Sequence, residues 1–419
     1  MAWTTPERNW SGTYSYRTRQ VYRPRTIDEL RDLIAGARGS LHGLGTRHSF
    51  NDIADADGMI SLEALPQNVT IDQDARTVTV PAAMRYGDLA RLLQEAGWAL
   101  SNLPSLPHIS VAGSVATATH GSGNANPSLA SAVTAMSMVT GTGDLLRIDQ
   151  TSPDFTGVVV HLGALGVVTD LTLCIEPTFL VRQDVYEHLP WHQLTSSFDE
   201  VMSAGYSVSA ITDFAGDDVD LLWIKSRVDP AASQLPAELF GARAATEKLH
   251  MTRGNDPVHC TPQLGEPGPW CYRLPHFLLE FTPSSGAEIQ SEYLMDRRYA
   301  SSVIETLRGL GHAIAPVVKS AEIRTVAADE LWLSPGYQRN VFGVHFTWQP
   351  DTAAVKALVE RIEAVLQPFH PRPHWAKVFG DGHRWSELYP RLPDFRRLVE
   401  AYDPRGIFRN AYLSRTIVA

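Results

Sequence analysis

Apolar residues near the start of the chain recur with the spacing of one helix face. Thr26 and Glu29 form the Ser/Thr-x-x-Glu pattern of a capping box, and Leu30, Leu33 and Ile34 follow it. In a capping box the hydroxyl accepts from a first-turn N–H and the carboxylate reaches back, while residues three and four apart share a face. The pattern therefore predicts a helix that begins after Thr26.

Alternating and helical patterns continue through the first 177 residues. Residues 77–80 read Thr-Val-Thr-Val, the period of a half-buried strand, and residues 87–96 return to helical spacing. Residues 132–139 and 145–148 predict a hairpin, because a Gly-rich turn separates two apolar runs. A last strand is expected to end near Pro177.

The pattern changes beyond Pro177. Residues 228–275 contain seven prolines and are expected to be irregular. On either side of them the predicted elements are helix 194–202, strand 206–214, strand 221–227, strand 278–282, helix 299–307, strand 317–326, strand 341–348, helix 352–366 and strand 374–379. This order is typical of an antiparallel sheet with helices on one face, so the predicted fold class is α+β.

Length and composition indicate a globular protein of two domains. A chain of 419 residues exceeds the size at which single cores stop growing, and 44% hydrophobic and 20% charged residues are ordinary values. We divide the chain into a first domain at 1–177, a second at 178–375 and a C-terminal segment at 376–419. The second domain is expected to roof the first.

Charge and cysteine content exclude several classes of protein. A net charge of -10 argues against a nucleic-acid partner, and three cysteines are too few for a disulfide framework. The polar N-terminus contains Pro6, so it does not read as a signal peptide. His161 and Asp170 break the most apolar window, residues 157–175, which favours buried strands over a membrane span. We expect a cytoplasmic protein without a nucleic-acid or membrane partner and without a bound metal.

A glycine-punctuated stretch at residues 42–51 is the first candidate for chemistry. It reads His-Gly-Leu-Gly-Thr-Arg-His-Ser-Phe-Asn, and glycine lets a backbone approach a ligand closely. A dinucleotide-binding fingerprint needs a third glycine where His48 stands and an apolar helix after it, and both are lacking. What remains is a loop of backbone N–H donors with a histidine near its end, although a lone histidine is more often structural.

Small and hydroxyl-bearing residues dominate a second stretch, residues 102–123. Its many N–H and hydroxyl donors suit a pyrophosphate. A Gly/Ser-rich surface loop is the alternative, but the interleaved Val111 and Val115 indicate burial. Further on, Gly166 and Val167 can lie against a flat ring system, and tight packing of two strands explains the same glycine.

Two predicted strands carry polar residues two positions apart. Glu322 and Arg324 share one face of the first strand, and His345 and Thr347 share one face of the second. Each strand alone fits a solvated sheet face. Both faces of the two strands also carry apolar residues, and covered charges need partners or a ligand. Lys377 adds a further cation, although a lysine in an apolar strand can also extend to the surface.

In this order, the motifs resemble those of the alditol oxidases in the vanillyl-alcohol oxidase superfamily. The His-bearing loop is followed by Glu-x-Arg at 322–324, His-x-Thr at 345–347 and His-Trp-x-Lys at 374–377. The resemblance runs from Asn9-Trp10 to a terminal Asp-Pro-x-Gly-x-Phe-x-Asn, and aldonolactone oxidoreductases share it more loosely. It implies a two-domain fold with an FAD-binding domain of the PCMH type, an antiparallel-sheet substrate (cap) domain and a C-terminal segment that returns to the FAD-binding domain.

The resemblance also implies which residues hold the cofactor. His48 falls on the histidine that bonds covalently to the 8-methyl carbon of FAD. Further FAD contacts are implied for Gly43, Leu44, Gly45, Thr46, Arg47, Ser49, Ser105, Ser110, Gly113, Ser114, Val115, Ala116 and Val167. Many relatives have glycine where this chain has Arg47, which leaves the local path of the loop open.

The implied polyol-binding residues are Ser105, Glu322, Arg324, Thr347 and Lys377, with His345 beside them. The implied reaction oxidises the terminal primary alcohol of a linear polyol such as xylitol, sorbitol or glycerol, with O2 reduced to H2O2. Arg324 and Lys377 would stabilise charge on the alcohol oxygen, and Glu322 would accept from an adjacent hydroxyl. Lys377 with Arg324 is the first choice for the proton, and His345 the second.

Three other functions compete with this hypothesis. An aldonolactone oxidase or dehydrogenase would use the same loop and a similar charged trio. A sugar-binding protein without redox chemistry leaves both donor-rich stretches unexplained. A glycosidase is a weaker hypothesis, because along the sequence no two acidic residues have comparable settings. The sequence does not rank the polyols, and a monomer is expected from the family alone.

Overall fold

The described residues of this computed structural model are 8–18, 20–228, 235–280 and 287–418. They form four β-sheets, of three, two, five and ten strands. In the three-stranded parallel sheet, Gly58–Ile60 lies between Val21–Tyr22 and Leu41–Gly43. Parallel neighbours need a crossover connection. The predicted N-terminal helix, Ile27–Ala35, lies in the chain between Val21–Tyr22 and Leu41–Gly43. The glycine loop therefore starts at the end of a strand in this sheet.

The predicted capping box is present with one change. The Thr26 hydroxyl accepts from the Glu29 N–H at 3.1 Å, but the Glu29 carboxylate accepts from the N–H of Arg25 rather than Thr26. Leu30 and Ile34 are fully buried on the apolar face of the helix. The helix start was thus predicted correctly from the local pattern.

A five-stranded antiparallel sheet completes the first half of the chain. Its strands, in spatial order, are Thr70–Asp72, Thr77–Pro81, Val167–Cys174, Val133–Val139 and Leu145–Asp149. The predicted strand at 77–80 and the predicted hairpin are confirmed. The helix Tyr86–Glu95 and the short helix Val111–Ala116 contribute to the same hydrophobic core as this sheet.

The larger sheet joins ten described strands, with antiparallel pairing throughout. In spatial order they are Glu238–Leu239, Ala242–Ala244, Leu180–Pro190, Asp218–Arg227, Ser207–Thr212, Val318–Val326, Val341–Trp348, Ile289–Asp296 and Arg372–Pro373, with Gly268–Pro269 beside Leu180–Pro190. A second hydrophobic core joins this sheet to the helices Trp191–Ser196, Phe198–Met202, Ala300–Gly309, Gly311–Ile314 and Thr352–Leu366. The predicted α+β class and antiparallel sheet are confirmed.

Several element predictions need correction. Residues 278–280 do not form a strand, and 281–282 lie outside the described residues. The predicted strand at 374–379 is a turn, because the Lys377 N–H donates to the His374 carbonyl at 3.0 Å instead of to a neighbouring strand. The predicted helix 194–202 is broken at Ser197 into two short helices.

Six strands of the large sheet were not predicted, and two of these are long. In Leu180–Pro190 the apolar pattern is interrupted by Arg182 and Asp184, which bind each other at 2.8 Å. In Ile289–Asp296 the three consecutive residues Gln290, Ser291 and Glu292 are polar although the strand is buried. Charged and polar residues inside a strand interrupt the apolar pattern and so hide the strand from a pattern search.

The C-terminal part of the chain packs into the first core rather than the second. Trp375, Tyr389 and Phe395 are buried in the core that contains the five-stranded sheet. The helices here are Trp385–Leu388, Leu392–Tyr402 and Ala411–Leu413. The domain boundaries at 177 and 375 stay a prediction.

Candidate active site

A cavity of about 290 Å³ lies between the glycine loop and one face of the large sheet. The loop and the stretch that follows Pro104 form one wall, which we call the glycine wall. The polar residues of three neighbouring strands form the other, which we call the charged wall. Almost all predicted site residues line this cavity, which we call the cleft. Val115 does not, because its side chain is fully buried in the first hydrophobic core.

His48 is held against the cleft as a neutral imidazole. Its ring stacks on Trp10 with centroids 5.0 Å apart, and its Nδ1 lies 3.1 Å from the Thr46 hydroxyl. Burial lowers the pKa of His48 to about 3, and the nearby charges of His108 and Arg47 add to the effect. A neutral imidazole keeps a ring lone pair, which is the group that forms bonds to carbon or metal.

The backbone at Arg47 has a conformation that favours glycine. Its φ angle is 64°, in the left-handed region where a side chain is strained and glycine is not. The Arg47 carbonyl accepts from the Trp10 N–H at 3.1 Å, which ties the loop to the ring that covers His48. Arg47 therefore adopts a backbone conformation that is usual for glycine.

The glycines of this wall differ in the room that they leave beside the backbone. A Cβ built on Gly43 would have no described atom within 4 Å, although Gly43 lines the cleft. By contrast, a Cβ on Gly163 would lie 2.2 Å from His42 Nε2, and one on Gly166 would lie 2.7 Å from the Val139 carbonyl. Gly166 thus serves tight strand packing, whereas Gly43 borders open space.

The opposite wall is assembled from three strands in register. Glu322 pairs directly with His345, and His345 pairs in turn with Glu292 on Ile289–Asp296. One step along the strands, Thr347 lies between Ser320 and Gln290. Because side chains two apart share a face, these polar groups all face the cleft. The two strands predicted at 317–326 and 341–348 are thus direct neighbours in the sheet.

Glu292 is the centre of the charged wall, and it was not predicted. It is 1% exposed, and its carboxylate accepts from Arg324 Nη2 at 2.7 Å and from Lys377 Nζ at 2.5 Å. His120 Nε2 lies 3.3 Å from the same carboxylate. Burial by itself would raise the pKa of Glu292, but Lys377 and Arg324 hold it well below its ordinary value. The signal available in the sequence was the Gln-x-Glu spacing at 290–292, which repeats that of Glu322 and Arg324.

Glu322 has its own hydrogen-bond partner, His276. It accepts from His276 Nε2 at 2.7 Å, and Arg324 Nε lies 3.5 Å from its second oxygen. Burial opposes ionisation, yet Arg324 and His276 keep the pKa of Glu322 well below its ordinary value. Arg324 also donates to the Ser105 hydroxyl at 3.2 Å. His276, like Glu292, was missed because it lies in a segment without a recognisable motif.

Lys377 reaches the cleft from a turn rather than from a strand. The Asn51 side chain donates to the carbonyls of Trp375 and Lys377 at 2.8 Å each, so the glycine loop itself holds this turn. Lys377 Nζ donates to His345 Nδ1 at 2.8 Å, and His345 Nε2 lies 3.2 Å from the Thr347 hydroxyl. Burial lowers the pKa of Lys377, and Glu292 opposes this shift.

Two findings bear on partners. Within residues 8–18, 20–228, 235–280 and 287–418, the helices are too short or too polar to cross a membrane. In the same ranges, no three His, Cys, Asp or Glu side chains are grouped so that they could hold a metal ion.

Comparison with known families and proteins agrees with this arrangement. Residues 18–149 match the model of an FAD binding domain, and residues 287–416 match the model of D-arabinono-1,4-lactone oxidase. An alditol oxidase from a Streptomyces species is 46% identical over 414 residues, which is 98% of each chain. L-gulonolactone oxidase from Bos taurus is 25% identical over 97% of each chain. L-gulono-1,4-lactone dehydrogenase from Mycobacterium tuberculosis is 26% identical over 98% of each.

Solved structures agree on the fold. Cholesterol oxidase from B. sterolicum superposes with a TM-score of 0.77 at 14% identity, covering 99% of this chain and 97% of that one. A solvent-stable cholesterol oxidase gives 0.76 at 15% identity with the same coverage. At such identities the likeness establishes the two-domain FAD-binding fold and nothing about the substrate.

Proposed function

The chain belongs to the alditol oxidase family within the vanillyl-alcohol oxidase superfamily, and from this membership we propose that it oxidises the terminal primary alcohol of a linear polyol. The members of this family are FAD-dependent oxidoreductases that act on CH–OH groups with O2. The observation that carries the proposal is the charged wall, where two carboxylates and two cations lie buried around one cleft. Buried charges of this kind need a polar ligand or each other.

The glycine wall fits FAD. Gly43 borders open space, and the buried Trp10 Nε1 and His161 Nε2 have no hydrogen-bond partner among the described residues although both residues line the cleft. When bound, FAD supplies the acceptor for the hydride of the terminal carbon and passes the electrons to O2. We propose that residues 43–49, Ser105, Ser110, Gly113, Ser114, Ala116 and Val167 hold it.

We further propose that His48 carries FAD covalently. Its imidazole is neutral, lines the cleft and is fixed by Trp10 and Thr46. The test is acid precipitation of the purified protein, after which a covalent flavin stays yellow in the pellet. The His48→Ala variant should release its flavin into the supernatant. A colourless parent pellet would contradict the covalent bond but not the oxidation.

Lys377 is the proposed proton acceptor for the substrate hydroxyl. Two of its Nζ positions are directed at acceptors, Glu292 and His345 Nδ1, and both contacts can be kept by a neutral amine. The remaining position then carries the lone pair that takes the hydroxyl proton, and burial lowers the pKa of the ammonium. Since His345 Nδ1 already accepts from Lys377, His345 is the second choice.

Arg324 is proposed to stabilise the alcohol oxygen as negative charge develops. It is 5% exposed and is fixed from two sides, by Glu292 at 2.7 Å and by the Ser105 hydroxyl at 3.2 Å. A donor that is already oriented needs no reorganisation during the reaction. Glu322, Ser105 and Thr347 are proposed to bind further hydroxyls along the polyol chain.

The experiment that tests the function compares xylitol, sorbitol, mannitol and glycerol with a sugar lactone, measuring H2O2 formed per substrate consumed in air. Activity on the polyols with one H2O2 per oxidation supports the proposal. Preference for the lactone would favour an aldonolactone oxidase, which the match of residues 287–416 supports. No turnover in air, but oxidation with an added artificial electron acceptor and no H2O2, would indicate a dehydrogenase. The cytoplasmic location and the monomer stay predictions.

A further inference from the structure

A lysine that the proposed reaction does not use lies behind the charged wall. Lys225 is on the strand Asp218–Arg227 and is 1% exposed. Its Nζ donates to the carbonyls of Leu274 and Pro275 at 2.6 and 2.8 Å, and it lies 3.1 Å from His276 Nδ1. Two carbonyl oxygens and one ring nitrogen thus surround Nζ, which matches the three hydrogens of an ammonium group.

This contact decides which ring nitrogen of His276 carries the proton. An ammonium donates and never accepts, so His276 Nδ1 must present its lone pair to Lys225. The proton of the neutral ring then lies on Nε2, which is 2.7 Å from the Glu322 carboxylate. Burial lowers the pKa of His276, which keeps the ring neutral. The opposite tautomer would place a lone pair against the carboxylate and an N–H against the ammonium.

We propose that Lys225 is a positioning residue, which fixes the tautomer of His276 so that this ring donates to Glu322 and orients its carboxylate toward the substrate. The inference rests on the proposed function, since Glu322 is taken to bind a polyol hydroxyl. His276 occupies one oxygen of Glu322, while the other faces Arg324 at 3.5 Å. The orientation of this carboxylate is therefore set by His276, which also lines the cleft, and by Arg324.

The wall contains the same arrangement a second time. Lys377 donates to His345 Nδ1 at 2.8 Å, and His345 Nε2 faces the Thr347 hydroxyl. In both cases a buried lysine fixes a histidine, and the far nitrogen of the ring meets a group proposed to bind substrate. Lys377 lines the cleft itself, whereas Lys225 acts from a distance through His276.

A purely structural role is the competing explanation. Lys225 also holds two carbonyls of the irregular segment before His276, so its loss would disturb the backbone there. The two roles predict different behaviour in a His276→Gln background. The glutamine amide carries an N–H donor near the place of Nε2 and has no tautomer to be fixed. Only the backbone role of Lys225 remains in that background.

The kinetic test is a double-mutant cycle of Lys225→Met and His276→Gln. In the parent, Lys225→Met is expected to raise KM for xylitol at least tenfold, with the flavin spectrum unchanged. In the His276→Gln background the same change should raise KM less than threefold. An equal factor in both backgrounds would overturn the proposal in favour of a backbone role.

A direct test records the ring nitrogens of ¹⁵N-histidine-labelled protein by NMR at pH 6. Burial lowers the pKa of Lys225 to about 7, so at pH 6 the ammonium form prevails. The His276 signals are identified by their loss in His276→Gln. The parent should show a protonated Nε2, and Lys225→Met should show Nδ1 protonation in part of the molecules.

A parent with protonated Nδ1 would overturn the inference even if Lys225→Met does not fold. The proposed function is tested separately by the parent's turnover of xylitol. If the expected tautomer is found in a parent that does not oxidise polyols, the proposed function fails and the tautomer assignment stands. A parent that oxidises xylitol with the wrong tautomer refutes only the role of Lys225.

Discussion

The two walls of the cleft are built from different materials. The glycine wall presents backbone, small side chains and hydroxyls, with Gly43 beside open space. The charged wall presents Glu292, Glu322, Arg324 and Lys377, whose side chains are between 1% and 14% exposed. One wall gains its shape from the absence of side chains, and the other from charges that balance each other.

This difference predicts how each wall responds to change. Breaking a buried ion pair by removing one partner leaves an uncompensated charge and costs stability as well as function. Adding a methyl group to a glycine that borders the cofactor's space lowers the affinity for the cofactor and leaves the fold unchanged. Substitutions in the charged wall should therefore lower both stability and activity, whereas substitutions in the glycine wall should change only the binding of the flavin.

The largest effect is expected for Glu292→Gln. Its removal leaves Arg324 and Lys377 without their shared carboxylate, so the free energy of unfolding should fall by about 3–5 kcal/mol. Flavin reduction by xylitol should slow at least a hundredfold. Denaturant unfolding and stopped-flow absorbance measure the two effects. Glu238→Gln, on an exposed edge strand of the same sheet, is the control and should change neither. A stable, active Glu292→Gln variant would show that the wall does not depend on this carboxylate.

The stability gap between the parent and Glu292→Gln should depend on pH. The pKa of Glu292 lies well below its ordinary value of 4.5 in the folded protein. Its contribution is therefore complete above about pH 4.5 and is lost as pH falls toward the folded-state pKa. Unfolding curves should show a constant gap from pH 7 to pH 5 and a narrower gap at pH 4 and below. A gap that is already narrower at pH 6 would mean that other titrating groups set the stability of the wall.

A smaller effect is expected for Gly43→Ala on the other wall. The new methyl group meets no described atom of the chain, so it should occupy space reserved for the cofactor. The ratio of flavin absorbance to protein absorbance should fall severalfold, while the unfolding temperature of flavin-free protein stays the same. Gly309→Ala is the matched control, because a Cβ there also meets nothing within 4 Å. Equal flavin content in both variants would remove Gly43 from the cofactor site.

The smallest effect is expected for Thr347→Val. The substitution keeps the shape and removes one hydroxyl that we propose binds the polyol. One neutral hydrogen bond is worth about 1 kcal/mol, so KM for xylitol should rise about fivefold with kcat nearly unchanged. Steady-state kinetics measure the change, with Thr70→Val on an exposed strand as the control. A large fall in kcat would instead point to the contact between Thr347 and His345.

The glycine wall could be found from the sequence because its signal is local. The loop at 42–51 and the donor-rich stretch at 102–123 are each continuous in the chain. Local signals also predicted the first helix and the strand Val341–Trp348 with its correct bounds. The same reasoning failed at 374–379, because the turn there is held by Asn51, more than 300 residues away in the chain.

By itself, the sequence determined the fold class and three of the four charged residues of the wall, Glu322, Arg324 and Lys377, and the resemblance of its motifs implied an FAD-binding loop. Only the tertiary structure decided what compensates those charges. Glu292, His276 and Lys225 come from three separate segments that carry no motif. Strand pairing places Glu292 beside His345, and side-chain contacts link Lys225 through His276 to Glu322. The energy of a buried charge depends on what surrounds it in space, and neighbours in space are not neighbours along the chain.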